Sequence, residues 1–154
     1  MTSPEQRLTE LGITLPDVRP PAGAYVPAVR TGNLVFLSGA GPISGDEIVT
    51  GKVGTDVDLD RAIYAARLVG LQLLAALRQE VGSLDKVTRI VKLLGMVNCA
   101  PGFNNTPAVI NGCSELFLDV FGDAGKHARS AVGQAELPFD ISVEIECVVE
   151  VSDG

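Results

Sequence analysis

Tryptophan is absent from this 154-residue chain, and two tyrosines and five phenylalanines make up all of its aromatic content. A stacking platform for single-stranded nucleic acid is therefore poorly supplied. Basic residues are also scarce, 12 against 19 acidic ones, for a formal net charge of −7 and a pI near 4.6. With no Lys/Arg cluster to neutralise a phosphate backbone, a nucleic-acid partner is not expected. One histidine and three cysteines without CxxC spacing are too few ligands for a metal centre. Cys99, Cys113 and Cys147 sit in apolar sequence, as reduced core thiols do. No apolar run reaches the roughly 18 residues that a membrane span needs. No basic leader with an apolar core opens the chain, so a soluble, cytoplasmic protein is expected. Phosphate-cradling fingerprints are missing too: Gly39, Gly41 and Gly45 fit neither GxxxxGK[ST] nor GxGxxG, and Pro42 removes an amide.

What is present is a core-forming composition, 46% hydrophobic with a mean hydropathy of +0.29, in the length of one domain. The sequence predicts a single domain over residues 1–154, of which 1–20 form an N-terminal helix and a Pro-rich connector. Ser3, Pro4 and Gln6 supply an N-cap, a first-turn proline and a capping-box partner, and Gly12 a stop. Strands from Tyr25 to Arg30 and from Leu34 to Gly39 flank Thr31-Gly32-Asn33, a tight-turn signal. Helical spacing runs from Asp58 to about Val81, and Gly82 ends it. A strand fits Val87 to Val97, and a second long helix fits Thr106 to Phe121 before Gly122. Ala128 to Ala135 and Ile141 to Val151 read as two strands joined by a turn around Pro138.

The long elements read β-β-α-β-α-β-β, an α+β sandwich with two helices on one face of a mixed sheet and nothing in the chain to cover the other. In the last strand, alternation directs Val143, Ile145, Cys147 and Val149 to the helices and Glu144, Glu146, Val148 and Glu150 to the uncovered face. Arg129, among the small residues of His127-Ala128-Arg129-Ser130-Ala131, is a candidate anchor for a small anion. With Glu144 it could form a cation and carboxylate facing one cleft. A surface or intersubunit ion pair is the plainer role for both. Glu146 shares the face of Glu144 and could replace it. His127 shares the face of Arg129 and could donate a proton there, or be solvated. Ser130 faces the other way, without a histidine base, and Cys113 belongs to the core.

Several pieces together carry a family resemblance: Pro21-Ala22-Gly23-Ala24-Tyr25-Val26, Leu37-Ser38-Gly39, Ala128-Arg129-Ser130-Ala131-Val132, and Leu137-Pro138 followed by Val143-Glu144-Ile145-Glu146. In order and spacing they resemble the YjgF/RidA reactive-intermediate deaminases, also labelled endoribonuclease L-PSP or translation inhibitor. The resemblance implies a chorismate-mutase-like fold and a homotrimer with clefts between subunits. It implies that Arg129 grips the carboxylate of a 2-imino acid while Glu144 helps water attack the imine carbon, giving a 2-keto acid and ammonia. Tyr25 would stand near the cleft, and groups around Ser38, Gly39 and Ala131 would contact the substrate. No cofactor is needed, because imine hydrolysis requires only water, placed charge and proton transfer. Two departures mark this chain. Ala131 stands where many deaminating members have cysteine, and the N-terminal helix with its connector indicates a longer sub-branch. The alternatives are a non-catalytic module that binds small carboxylates and, further off, an endoribonuclease.

Overall fold

Ser3 begins the first helix as its sequence dictates: its hydroxyl accepts from the Gln6 amide at 3.3 Å while the Gln6 side chain accepts from the Ser3 amide at 3.0 Å. In the computed structural model, which describes residues 2–153, this helix is α1 (Pro4–Glu10). It is pinned to the body of the domain by buried Leu8, by an ion pair from Glu5 to Arg78 at 2.9 Å, and by Arg7, whose Nε donates to the Asp119 carbonyl. Two strands follow, β1 (Ala28–Thr31) and β2 (Leu34–Ala40), paired around Gly32 at φ 58°. The first strand is shorter than its apolar pattern suggested, because residues 22–25 run as bends and Pro27 bends again just before it. A small hairpin that the sequence reading missed, β3 (Ile43–Ser44) with β4 (Glu47–Ile48), turns at Gly45.

Two long helices cover one face of the sheet. In α2 (Leu59–Val81) Asp58 caps the first turn and Gly82 closes the last at φ 91°, while α3 (Thr106–Phe121) ends at Gly122. They approach closely because Gly112 lets α3 lie directly on the backbone of α2: a Cβ there would collide with the Ile63 carbonyl. Beneath them run β5 (Val87–Asn98), β6 (Ala128–Gln134) and β7 (Val143–Val151). The strand order is β1-β2-β7-β5-β6, and only β5 and β6 are parallel. Val143, Ile145, Cys147 and Val149 are buried against the helices, as the alternation of β7 predicted. Cys113 and Cys147 are buried free thiols, and Cys99 is partly exposed.

The segment between β6 and β7 does not close a hairpin, since β5 lies between the two strands. Its path is fixed by Asn98, which is fully buried. The Asn98 amide donates to Asp140 Oδ1 at 3.0 Å and to the Ile141 carbonyl at 3.1 Å, while its oxygen accepts from Lys52 Nζ at 2.8 Å. Phe139 and Asp140 adopt φ of 57° and 58° to make the crossing. These long-range bonds have no local sequence signature. The face away from the helices carries Val29, Phe36 and Val132, each 40–52% exposed, with no cover among the described residues. Among the described residues, no helix is long and apolar enough to cross a membrane.

Candidate functional site

Glu144 lies on the uncovered side of β7, and its carboxylate rests on the backbone of Gly39 in β2. A Cβ at residue 39 would collide with Oε2, so any larger residue there would push the Glu144 carboxylate out of this position. The carboxylate accepts no hydrogen bond from the described residues and opens into a cavity of about 460 Å³. Burial first, and then the charge of Glu146, hold its pKa above the ordinary carboxylate value. Glu146 itself is exposed and is not part of the cavity wall.

Tyr25, Ser38 and Gly39 line the same cavity as Glu144, so four of the six residues expected to form the site come together in one chain. Ser38 donates its hydroxyl proton to the Val26 carbonyl at 2.6 Å, and the Tyr25 hydroxyl oxygen accepts from the Ala22 amide at 3.3 Å. The connector, read as a link only, supplies another wall through residues 18–22, and Phe139, Leu73 and Ala76 add apolar side chains to the lining. Sequence reasoning missed these residues because they belong to three separate segments whose apolar character looks like ordinary core or loop.

Arg129 and Ala131 lie elsewhere. Glu144 pairs across β5 at Met96, which is level with Val132, so Arg129 is three residues, about 10 Å, further along β6. It is also on the opposite face, because its side chain reaches α3. Thus the expectation that Arg129 and Glu144 face one cleft fails within a single chain, since alternation directs them to opposite sides of the sheet. The guanidinium donates to Asn111 Oδ1 at 2.8 Å, to Ser114 Oγ at 3.1 Å and to the Pro107 carbonyl at 3.3 Å. Among the described residues it has no carboxylate partner. The Ala131 carbonyl is already engaged, accepting from Thr106 Oγ1 at 2.9 Å.

His127 is neither solvated nor free to serve an anion. The Gly125 carbonyl can only accept, which puts a proton on His127 Nδ1; in that neutral tautomer Nε2 accepts from Ser114 Oγ, 3.0 Å away, which in turn accepts from Arg129. His127 Nδ1 donates to the Gly125 carbonyl at 2.7 Å. Ser114 and Asn111, polar positions three apart on a largely apolar helix, were the available sequence signal for this cradle. Ser130 points away from it, accepting from Lys92 Nζ at 3.3 Å.

Comparison with known proteins agrees with this architecture. The family model described as "YjgF/chorismate_mutase-like, putative endoribonuclease" matches residues 5–151. The chain is 40% identical to Protein TCP17 of Trypanosoma cruzi, over 95% of this chain and 92% of that protein. It is 33% identical to the 2-iminobutanoate/2-iminopropanoate deaminase of Dermatophagoides farinae, over 90% and 94%. Among solved structures, Atu1372 from Agrobacterium tumefaciens superposes with a TM-score of 0.89 at 45% identity, covering 97% of this chain and 92% of that one. Escherichia coli TdcF with bound serine superposes with a TM-score of 0.64 at 28% identity, covering 88% and 94%. Motifs, sheet order and matches together make the chain a member of the YjgF/RidA, chorismate-mutase-like family.

Proposed function

We propose that the protein hydrolyses 2-imino acids to 2-keto acids and ammonia in clefts completed between copies of the chain in a homotrimer. The observation that carries this reading is a split site. Among the described residues, a half-buried carboxylate, Glu144, stands unpartnered in a cavity on one face, and a cation held by three acceptors, Arg129, stands without a counter-ion on the other. Each is half of a site that binds and hydrolyses an anionic imine. The β6 edge of one copy, set against the uncovered apolar face of the next, would bring the two halves together and bury Phe36, Val29 and Val132. The deaminase relative and the serine-bound neighbour support a small amino-acid-like ligand.

Arg129 would hold the substrate carboxylate through two parallel charged hydrogen bonds, which fix the plane of the imine as well as its position. Glu144, with a carboxyl pKa raised by burial, accepts a proton from water as its oxygen attacks the imine carbon. That proton passes to nitrogen to give a carbinolamine; Glu144 then takes the hydroxyl proton and returns it to nitrogen as the C–N bond breaks, so that ammonia leaves and the ketone forms. Water adds and ammonia departs, so no redox partner is required.

Release of keto acid and ammonia from imines generated in situ by an amino-acid oxidase tests the reading directly. Acceleration by the wild-type protein that disappears in Arg129→Ala supports it. Binding of 2-keto acids without any acceleration would leave a carboxylate-binding module instead, and a stable monomer in light scattering would remove the two-chain cleft.

The cradle of Arg129 gives a finer test. Ser114→Ala removes one acceptor from the guanidinium and the donor to His127 Nε2. A net hydrogen bond contributes about 1 kcal/mol, so titration calorimetry should show 2-oxobutanoate binding weakened about five- to tenfold. Unchanged affinity would show that Asn111 and Pro107 position Arg129 unaided.

A further inference from the structure

We propose that the cavity beside Glu144 is a side-chain pocket selecting 2-imino acids with bulky apolar side chains, an inference that rests on the hydrolase reading above.

The first argument is that the wall formed by residues 18–22 is fixed in place. Upstream, α1 is held by the Glu5–Arg78 pair, and Ile13 and Leu15 pack against the core. Within it, Arg19 donates to the Gly45 carbonyl at 3.3 Å, and at its far end the Ala22 amide donates to the Tyr25 hydroxyl at 3.3 Å. Both ends of the segment are therefore tied to the domain. Pro20 and Pro21 lie within it and Pro16 just ahead of it, and these restrict it further.

The second argument is chemical. Most of the neutral polar capacity around the cavity already serves the protein: Ser38 donates to the Val26 carbonyl, Gln72 Nε2 to the Ile43 carbonyl at 2.8 Å, and Tyr25 accepts from the Ala22 amide, which leaves the Tyr25 hydroxyl proton and the Gln72 amide oxygen as the remaining neutral polar groups. Otherwise Leu73, Ala76, Phe139 and the proline rings remain. Beyond the reach of Glu144 such a surface rewards the loss of apolar area from water and offers little to a hydroxyl or amide.

Size gives the third argument. A cavity near 460 Å³ lies in the range of pockets that enclose drug-sized molecules. The carboxylate, imine carbon and methyl group of an alanine-derived imine would leave most of it unfilled. Each additional methylene buried should improve binding by about fourfold. Arg19, at the rim, offers the one competing selection, for an acidic side chain.

The test compares imines generated from alanine, leucine, phenylalanine and glutamate, with calorimetric titration of the corresponding 2-keto acids alongside. Wild-type kcat/KM should rise by about tenfold or more from the alanine- to the leucine- or phenylalanine-derived imine. Two variants shrink the pocket or open it. Ala76→Met fills the floor, and Phe139→Asn removes an exposed apolar wall at a positive φ that asparagine tolerates, so that variant keeps its fold. Each should lower the leucine-to-alanine ratio at least fivefold. A flat profile, a preference for the alanine-derived imine, or a preference for the glutamate-derived one would overturn the pocket assignment. If no imine is hydrolysed, the hydrolase reading fails by itself, and the keto-acid titrations still decide the pocket: tighter binding of 4-methyl-2-oxopentanoate than of pyruvate sustains it, and equal or absent binding overturns it.

Discussion

Glu144→Gln is expected to lower turnover of 2-imino acids by at least a hundredfold while 2-keto acids still bind. The substitution keeps the shape that rests on Gly39 but replaces a proton acceptor with an amide. Positioned general bases contribute about 10²–10⁴ in rate, and the carboxylate anchor, Arg129, is untouched. The wild-type pH profile carries the same signature: activity should fall on acidification through a midpoint above the ordinary carboxylate value, because burial raises the Glu144 pKa. Stability responds with a definite sign. The folded state binds this proton more readily than the unfolded state, so its contribution to stability declines as pH rises from the ordinary to the raised value. Glu144→Gln should therefore be more stable than wild type near neutrality, by a margin that narrows toward pH 4 in urea titrations. Unchanged kcat in the glutamine variant would remove Glu144 from the mechanism.

Gly112→Ala should destabilise the protein by about 2 kcal/mol, and Gly112→Val by more. At an exposed helical position the alanine change would act in the opposite direction, since glycine is about 1 kcal/mol worse than alanine in a helix interior. Here packing reverses the sign. A Cβ at residue 112 would overlap the Ile63 carbonyl oxygen and approach the Ala66 Cβ to 3.2 Å. The obstacle is backbone, which cannot rotate aside as a side chain can, so α2 and α3 would have to separate. Urea denaturation of the two variants checks this, and a stabilised alanine variant would show that the helices are free to move apart.

Local chemistry made the long elements legible, while contacts between distant segments did not announce themselves. The boundaries of α2 and α3 follow from Asp58, Gly82 and Gly122, and the buried face of β7 from strict alternation. The hairpin at residues 43–48 is too short for such a pattern. The crossing between β6 and β7 depends on Asn98, some forty residues before Asp140, and no window of sequence contains both. The site divides in the same way. Glu144 and Arg129 could be anticipated from motif order, and Gly39 as a substrate contact, but not the packing of Glu144 on Gly39. The placement of Glu144 and Arg129 on opposite faces requires the register of three strands, and the roles of His127 and Ser114 require a helix and a strand to meet.

The central place of β7 also bears on how the molecule assembles. Its partners β2 and β5 come before it in the chain, and Leu34 pairs with Glu150, more than a hundred residues away. Until β7 enters, the β1–β2 hairpin and the parallel β5–β6 pair are separate pieces of sheet with no common strand. Closing so long a loop adds only modestly to the entropy opposing folding, but pairing between distant segments is slow to find. On a ribosome, the helices and both partial sheets would be complete while two raw strand edges waited for the segment that joins them. The same late strand carries Glu144, so neither sheet nor cavity can exist before it arrives.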